Sequence, residues 1–82
     1  WGMRSIHDPR YKTLIQKLIE LRESKNMTQA ELARRLIKPQ SYVSKVEILE
    51  RRIDVIELID WLSCLDEEAE LFFSRFVKNI KA

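Results

Sequence analysis

The chain has 82 residues, 45% of them apolar and 34% charged, and carries a formal net charge of +2. This is the length of one small domain with an ordinary globular balance, which excludes a disordered segment, and its longest apolar runs are far too short to cross a bilayer. One cysteine, Cys64, and one histidine, His7, exclude an intramolecular disulfide and a Cys/His zinc centre.

The small net charge hides an asymmetry. Residues 1–52 hold twelve Lys/Arg against six Asp/Glu, or +6, and residues 53–82 hold three against seven, or −4. The first part would attract a polyanion, although charge runs in many proteins only solvate helix faces. A core of this size is marginal, so association with a second copy is expected. The chain start lacks a basic-then-apolar targeting segment, which points to a cytoplasmic protein without membrane association. Trp1 and Gly2 stand ahead of Met3 and read as an addition to the natural start.

In chain order, Asp8 followed by Pro9 is a helix start: a side-chain acceptor, then a residue pre-set for the first helical position. Tyr11, Leu14, Ile15, Leu18 and Leu21 recur at three- and four-residue spacing and predict a first helix to about Lys25, ended by Asn26. Thr28 and Glu31 form a T-x-x-E capping box that opens a second helix over about Gln29 to Leu36. Pro39 forces a turn at Ile37-Lys38. A third helix follows from about Gln40 with Val43 and Val46 inward. Asp54 and Glu57 repeat the box for a fourth helix, expected to present Ile56, Ile59 and Leu62 to the core. Asp66, Glu67 and Glu68 precede a fifth helix, and Lys78 and Lys81 lie near its end, both in the sense the helix dipole favours. No segment alternates with period two, and the one glycine is Gly2, so the chain reads as all-α.

The segment TQAELARRLIKPQSYVSKVE, residues 28–47, is thus two short helices about a proline, the second with polar residues on faces that burial would not make polar. Ala33 is small where these helices should cross, and Leu32, Leu36, Val43 and Val46 would fill the contact. With LIELRESKNM before it and ERRIDVIELIDWLSCLD after it, this segment resembles the Xre family of phage-repressor-type (Cro/cI) helix-turn-helix regulators over about residues 9–65. The resemblance implies a compact five-helix bundle of the lambda-repressor-like kind. Residues 1–8 would be a tail, 9–65 the DNA-binding domain around the helix-turn-helix unit 28–47, and 66–82 a helix completing the bundle. It also implies that the third helix enters the major groove of double-stranded DNA while the second crosses the backbone.

The side-chain chemistry agrees. The Gln40 amide matches the N7 and N6 edge of adenine, and by resemblance it is the leading base reader. Ser41, Tyr42, Ser44 and Lys45 are expected on the same exposed side, their hydroxyl and ammonium groups suited to bases or phosphates. Each could equally be plain surface. Gln29 corresponds to the family glutamine that bonds a phosphate and braces the reading glutamine; otherwise it is a solvated first-turn residue. Lys38, in the turn, and Arg51 and Arg52, after the third helix, are phosphate candidates, though Arg52 could instead lie along the fourth helix. The resemblance further implies a structural ion pair between Arg22 and Glu47.

Ile37 and Leu49 stand where the family usually has glycine with positive φ, and Asn26 where a third glycine is common. A β-branched residue held there is strained, so either the turn takes another geometry, the strain is tolerated, or the third helix continues to about Glu50. Ile48, at a position often polar and near DNA, is either a thymine-methyl contact or surface. The fifth helix offers Leu71, Phe72, Phe73, Phe76, Val77 and Ile80, too many large apolar residues for one core stripe. A homodimer through Phe72, Phe73, Phe76, Val77 and Ile80, with Trp61 and Leu65 joining, is therefore expected, the alternative being a monomer whose phenylalanines cap its own core.

The function these features imply is a sequence-specific DNA-binding transcriptional regulator, a repressor in kind. The alternative is an antitoxin-like or adaptor module that uses the same fold to hold a protein partner. No nucleophile, base or metal set is assembled, so an enzyme is not expected, nor a cofactor or small-molecule ligand.

Overall fold

The computed structural model describes residues 7–81, so Trp1 to Met3 lie outside the described residues. Among the described residues there are five helices and no strand: α1 (Pro9–Ser24), α2 (Gln29–Leu36), α3 (Gln40–Glu47), α4 (Val55–Cys64) and α5 (Ala69–Lys81). α2 packs on α3 and α4, α1 packs on α3 and α5, and α4 packs on α5.

The helix starts follow their capping residues. The Asp8 carboxylate accepts from the Arg10 backbone N–H, and the Arg10 guanidinium bonded to it holds its pKa down to about 2. Asp54 and Glu57 form a complete capping box at α4. The box expected at α2 is only half made. Thr28 accepts from the Glu31 N–H, but the Glu31 carboxylate pairs with Arg34 and Arg35 on its own helix. Two adjacent guanidiniums outweigh one backbone donor for that charge.

The helix ends share one device. α1 to α4 each close with a pair of backbone bonds around a residue in the left-handed conformation: Asn26 (φ 55°), Ile37 (φ 58°), Leu49 (φ 67°) and Asp66 (φ 56°). At α3 the Glu50 N–H bonds Lys45 O and the Leu49 N–H bonds Val46 O, the Schellman arrangement that satisfies the last carbonyls. The turns thus keep the geometry that glycine would take without cost, and Ile37 and Leu49 accept the strain. α3 therefore stops at Glu47 instead of continuing to Glu50, and Asp66 belongs to the end of α4 instead of the start of α5.

The core is one cluster in which Leu18, Leu32, Val43, Val46, Trp61 and Leu65 are fully inaccessible, closed by Phe72 from α5. On α4 the buried stripe is Leu58, Trp61, Leu62 and Leu65, while Ile56 and Ile59 face outward at 63% and 48% exposure. The inward phase expected for Ile56 and Ile59 is corrected by about one residue, because Trp61, the largest side chain, takes the centre. Trp61 and Leu65 cannot join a dimer face, since both are 0% exposed in the chain's own core. Phe72 is likewise core. Phe76, Val77 and Ile80 are half-buried, and Leu71 and Phe73 are the exposed large apolar residues of α5.

Candidate nucleic-acid interface

α3 presents two faces. Tyr42, Val43 and Val46 are buried, whereas Gln40, Ser41 and Lys45 are exposed and Ser44 is half-buried. Residues 44, 45 and 48 lie three, four and seven beyond Ser41 and so share one side of the helix with it. Lys38 is exposed in the turn just ahead of them, and Arg52 is exposed beyond the helix end.

Tyr42 does not belong to that outward set. It is 8% exposed, its hydroxyl donates to Glu57 Oε2 (3.3 Å) and accepts from Trp61 Nε1 (3.2 Å), and burial pushes its phenol pKa up. The correction has a sequence signal: positions 42, 43 and 46 fall on one arc of a helix, and two of them are valines. Around Tyr42 the structure builds a node that the sequence does not advertise. Arg51 donates to Glu57 Oε2 (3.1 Å) and to Arg52 O (2.8 Å), with its guanidinium carbon 4.7 Å from the Tyr42 ring centroid. Lys38 Nζ lies 5.5 Å from the same centroid. The node ties α3 to the start of α4 and fixes Arg51, so part of the Arg51 guanidinium is already engaged within the chain.

The opposite end of α3 is anchored to α1. Arg22 binds Glu47 through two nitrogens (Nε to Oε2 2.7 Å, Nη2 to Oε1 3.0 Å) and donates its third to Met27 O (2.7 Å), with side-chain exposures of 10% and 5%. Gln29 Nε2 donates to Glu47 Oε1 at 2.8 Å, so the residue it braces is Glu47, not Gln40. Both ends of α3 are therefore locked by charge-assisted bonds while its polar side stays open.

Residues 18–72 match the helix-turn-helix family model. The chain is 41% identical to an XRE-family-like protein from Pseudomonas syringae pv. tomato, with 93% of this chain and 95% of that chain covered and a TM-score of 0.83. This chain belongs to the XRE helix-turn-helix family. Its fold is also that of the restriction-modification controller protein C.Esp1396I, at 26% identity and TM-score 0.72 over 89% of this chain and 92% of that one. C.Esp1396I has been solved as a tetramer in complex with its natural 35 base-pair operator, and that structure matches at 26% identity and TM-score 0.70, again over 89% and 92%. No curated protein gives a significant match. The family is a DNA-binding regulator type and is not typically enzymatic. Among the described residues no group of His, Cys, Asp or Glu is placed to hold a metal ion, and no helix is long and apolar enough to cross a membrane.

Proposed function

We propose that this XRE protein is a cytoplasmic, sequence-specific transcriptional regulator, a repressor, that lays α3 in the major groove of double-stranded DNA. The observation that carries the reading is the uncovered polar side of α3, held outward by anchors at both ends. Gln40 reads an adenine edge, Ser41, Ser44 and Lys45 contact neighbouring bases or phosphates, and Lys38 and Arg52 neutralise backbone charge. Arg51 and Gln29 keep their intramolecular bonds and meet phosphate with their remaining N–H groups. The similar controller protein on its operator supports both a duplex ligand and an oligomer.

A homodimer supplies two copies of α3 at half-sites about one helical turn, roughly 34–36 Å, apart. Its face is built from the exposed Leu71 and Phe73, with the half-buried Phe76, Val77 and Ile80 at its border. The helix-turn-helix unit within residues 9–65 does the reading, and residues 66–82 supply the mate. The same apolar face favours a second reading, an antitoxin-like or adaptor module holding a different protein there.

Selection of duplexes from a random pool, followed by titration, separates the two. Gln40→Ala is expected to lose about 1–3 kcal/mol of discrimination at one base position, and Lys38→Ala to weaken all sequences alike. Equal losses for Gln40→Ala on selected and random duplexes would remove Gln40 from base reading. No enrichment of any sequence would favour the adaptor.

A further inference from the structure

One apolar side chain stands on the polar side of α3. Ile48, at the helix end, is 58% exposed, lies three residues beyond Lys45 and seven beyond Ser41, and keeps the helical path through its N–H bond to Ser44 O (3.0 Å). The next residue, Leu49, turns into the left-handed conformation at φ 67° and packs back on the core. The paired bonds Glu50 N to Lys45 O and Leu49 N to Val46 O close this turn, so Ile48 is fixed facing outward instead of hanging on a loose loop. The other strongly exposed apolar residues, apart from Ile37 in the turn, belong to α4 and α5, so Ile48 is not an outlier of that patch.

An isolated apolar residue on a protein surface usually signifies nothing. Its place here decides otherwise, because a duplex major groove offers one apolar feature, the methyl group on C5 of thymine. Resting on the DNA-reading function above, we infer that Ile48 is a specificity-determining residue that packs on the C5-methyl group of a pyrimidine, in ordinary DNA a thymine, beside the bases met by Ser44 and Lys45. The contact selects by removing apolar surface from water and needs no hydrogen bond. Its worth is that of about one buried methyl group, roughly a three- to fivefold change in affinity.

The test uses the full chain and a duplex selected by it from a random pool. Each thymine in the duplex is replaced singly by deoxyuridine, which deletes the methyl group and leaves the pairing edge unchanged. At one thymine per half-site the wild type is expected to lose about three- to fivefold. Ile48→Val keeps this preference, and Ile48→Ala binds the thymine and deoxyuridine forms within about twofold, within the precision of a lost methyl contact. Cytosine against 5-methylcytosine at the same position should repeat the difference for the wild type and Ile48→Val but not for Ile48→Ala. If Ile48→Ala feels every methyl deletion as strongly as the wild type, the inference is overturned while the DNA-reading function stands. If no duplex is enriched in the first place, both fall.

Discussion

Glu47 carries the largest single commitment at the residue scale. Its buried carboxylate collects two bonds from Arg22, which supplies the matching charge, and one from the neutral Gln29 amide. Arg22→Met would leave it buried without its cation. A loss of about 3–5 kcal/mol in chemical denaturation is expected, and Arg22→Met with Glu47→Leu should recover most of it. If the single variant cost no more than a surface substitution, α3 would not depend on this anchor. No local pattern joins Arg22 to Glu47 across twenty-five positions, so only a family resemblance brings them together from sequence. Gln40, Ser41 and Lys45, by contrast, are legible as outward residues from helical spacing alone. Tyr42 departs from its expected outward place because its hydroxyl, surface chemistry in sequence, is satisfied inside by Trp61 and Glu57.

At the scale of elements, caps and stops decide where each helix begins and ends. The five starts and their order are legible because Asp8, Thr28, Pro39, Asp54 and the pair Glu67-Glu68 are local signals. The stops are less so, since isoleucine and leucine are poor advertisements for a left-handed turn. Ile37 is 90% exposed and contributes almost no burial, yet it holds φ 58°. Relief of roughly 1–2 kcal/mol of left-handed strain, less about 0.5–1 kcal/mol of added chain entropy, makes Ile37→Gly stabilising by about 0.5–1 kcal/mol. A lower melting temperature for this variant would show that the turn is not strained. The start of α4 gives a pH dependence. The Asp54 N–H, and then Arg51 and Tyr42, hold the Glu57 carboxyl below its ordinary value of 4.5. Because the folded pKa is the lower one, this stabilisation is complete above the ordinary value and fades as pH falls through the folded value. Glu57→Gln, which keeps a side-chain acceptor without the charge, is expected to flatten the fall in melting temperature as the pH drops below the ordinary carboxyl value of 4.5.

For the whole molecule, two surfaces divide the work. In the proposed function, the basic residues that flank α3 meet a polyanion, and the apolar residues left over on α4 and α5 meet a second protein surface. Val55, Ile59 and Phe73 border one apolar groove between α4 and α5, so the exposed patch extends beyond the helix that the sequence singles out. The phase of α4 conceals this, because Trp61 and Leu62 draw the buried stripe away from Ile59. Phe73→Glu is expected to shift the protein to monomer in analytical ultracentrifugation and to weaken operator binding, while leaving the melting temperature within a few degrees. Unchanged sedimentation would move the dimer face elsewhere. The exposed, strained corner at Ile37 has a consequence for motion as well. A corner held against its own preference gives back energy when it springs, so this connection opens at lower cost than the middles of the two rods it joins. The corner just ahead of α3, Ile37-Lys38, is thus where the chain is expected to breathe without melting.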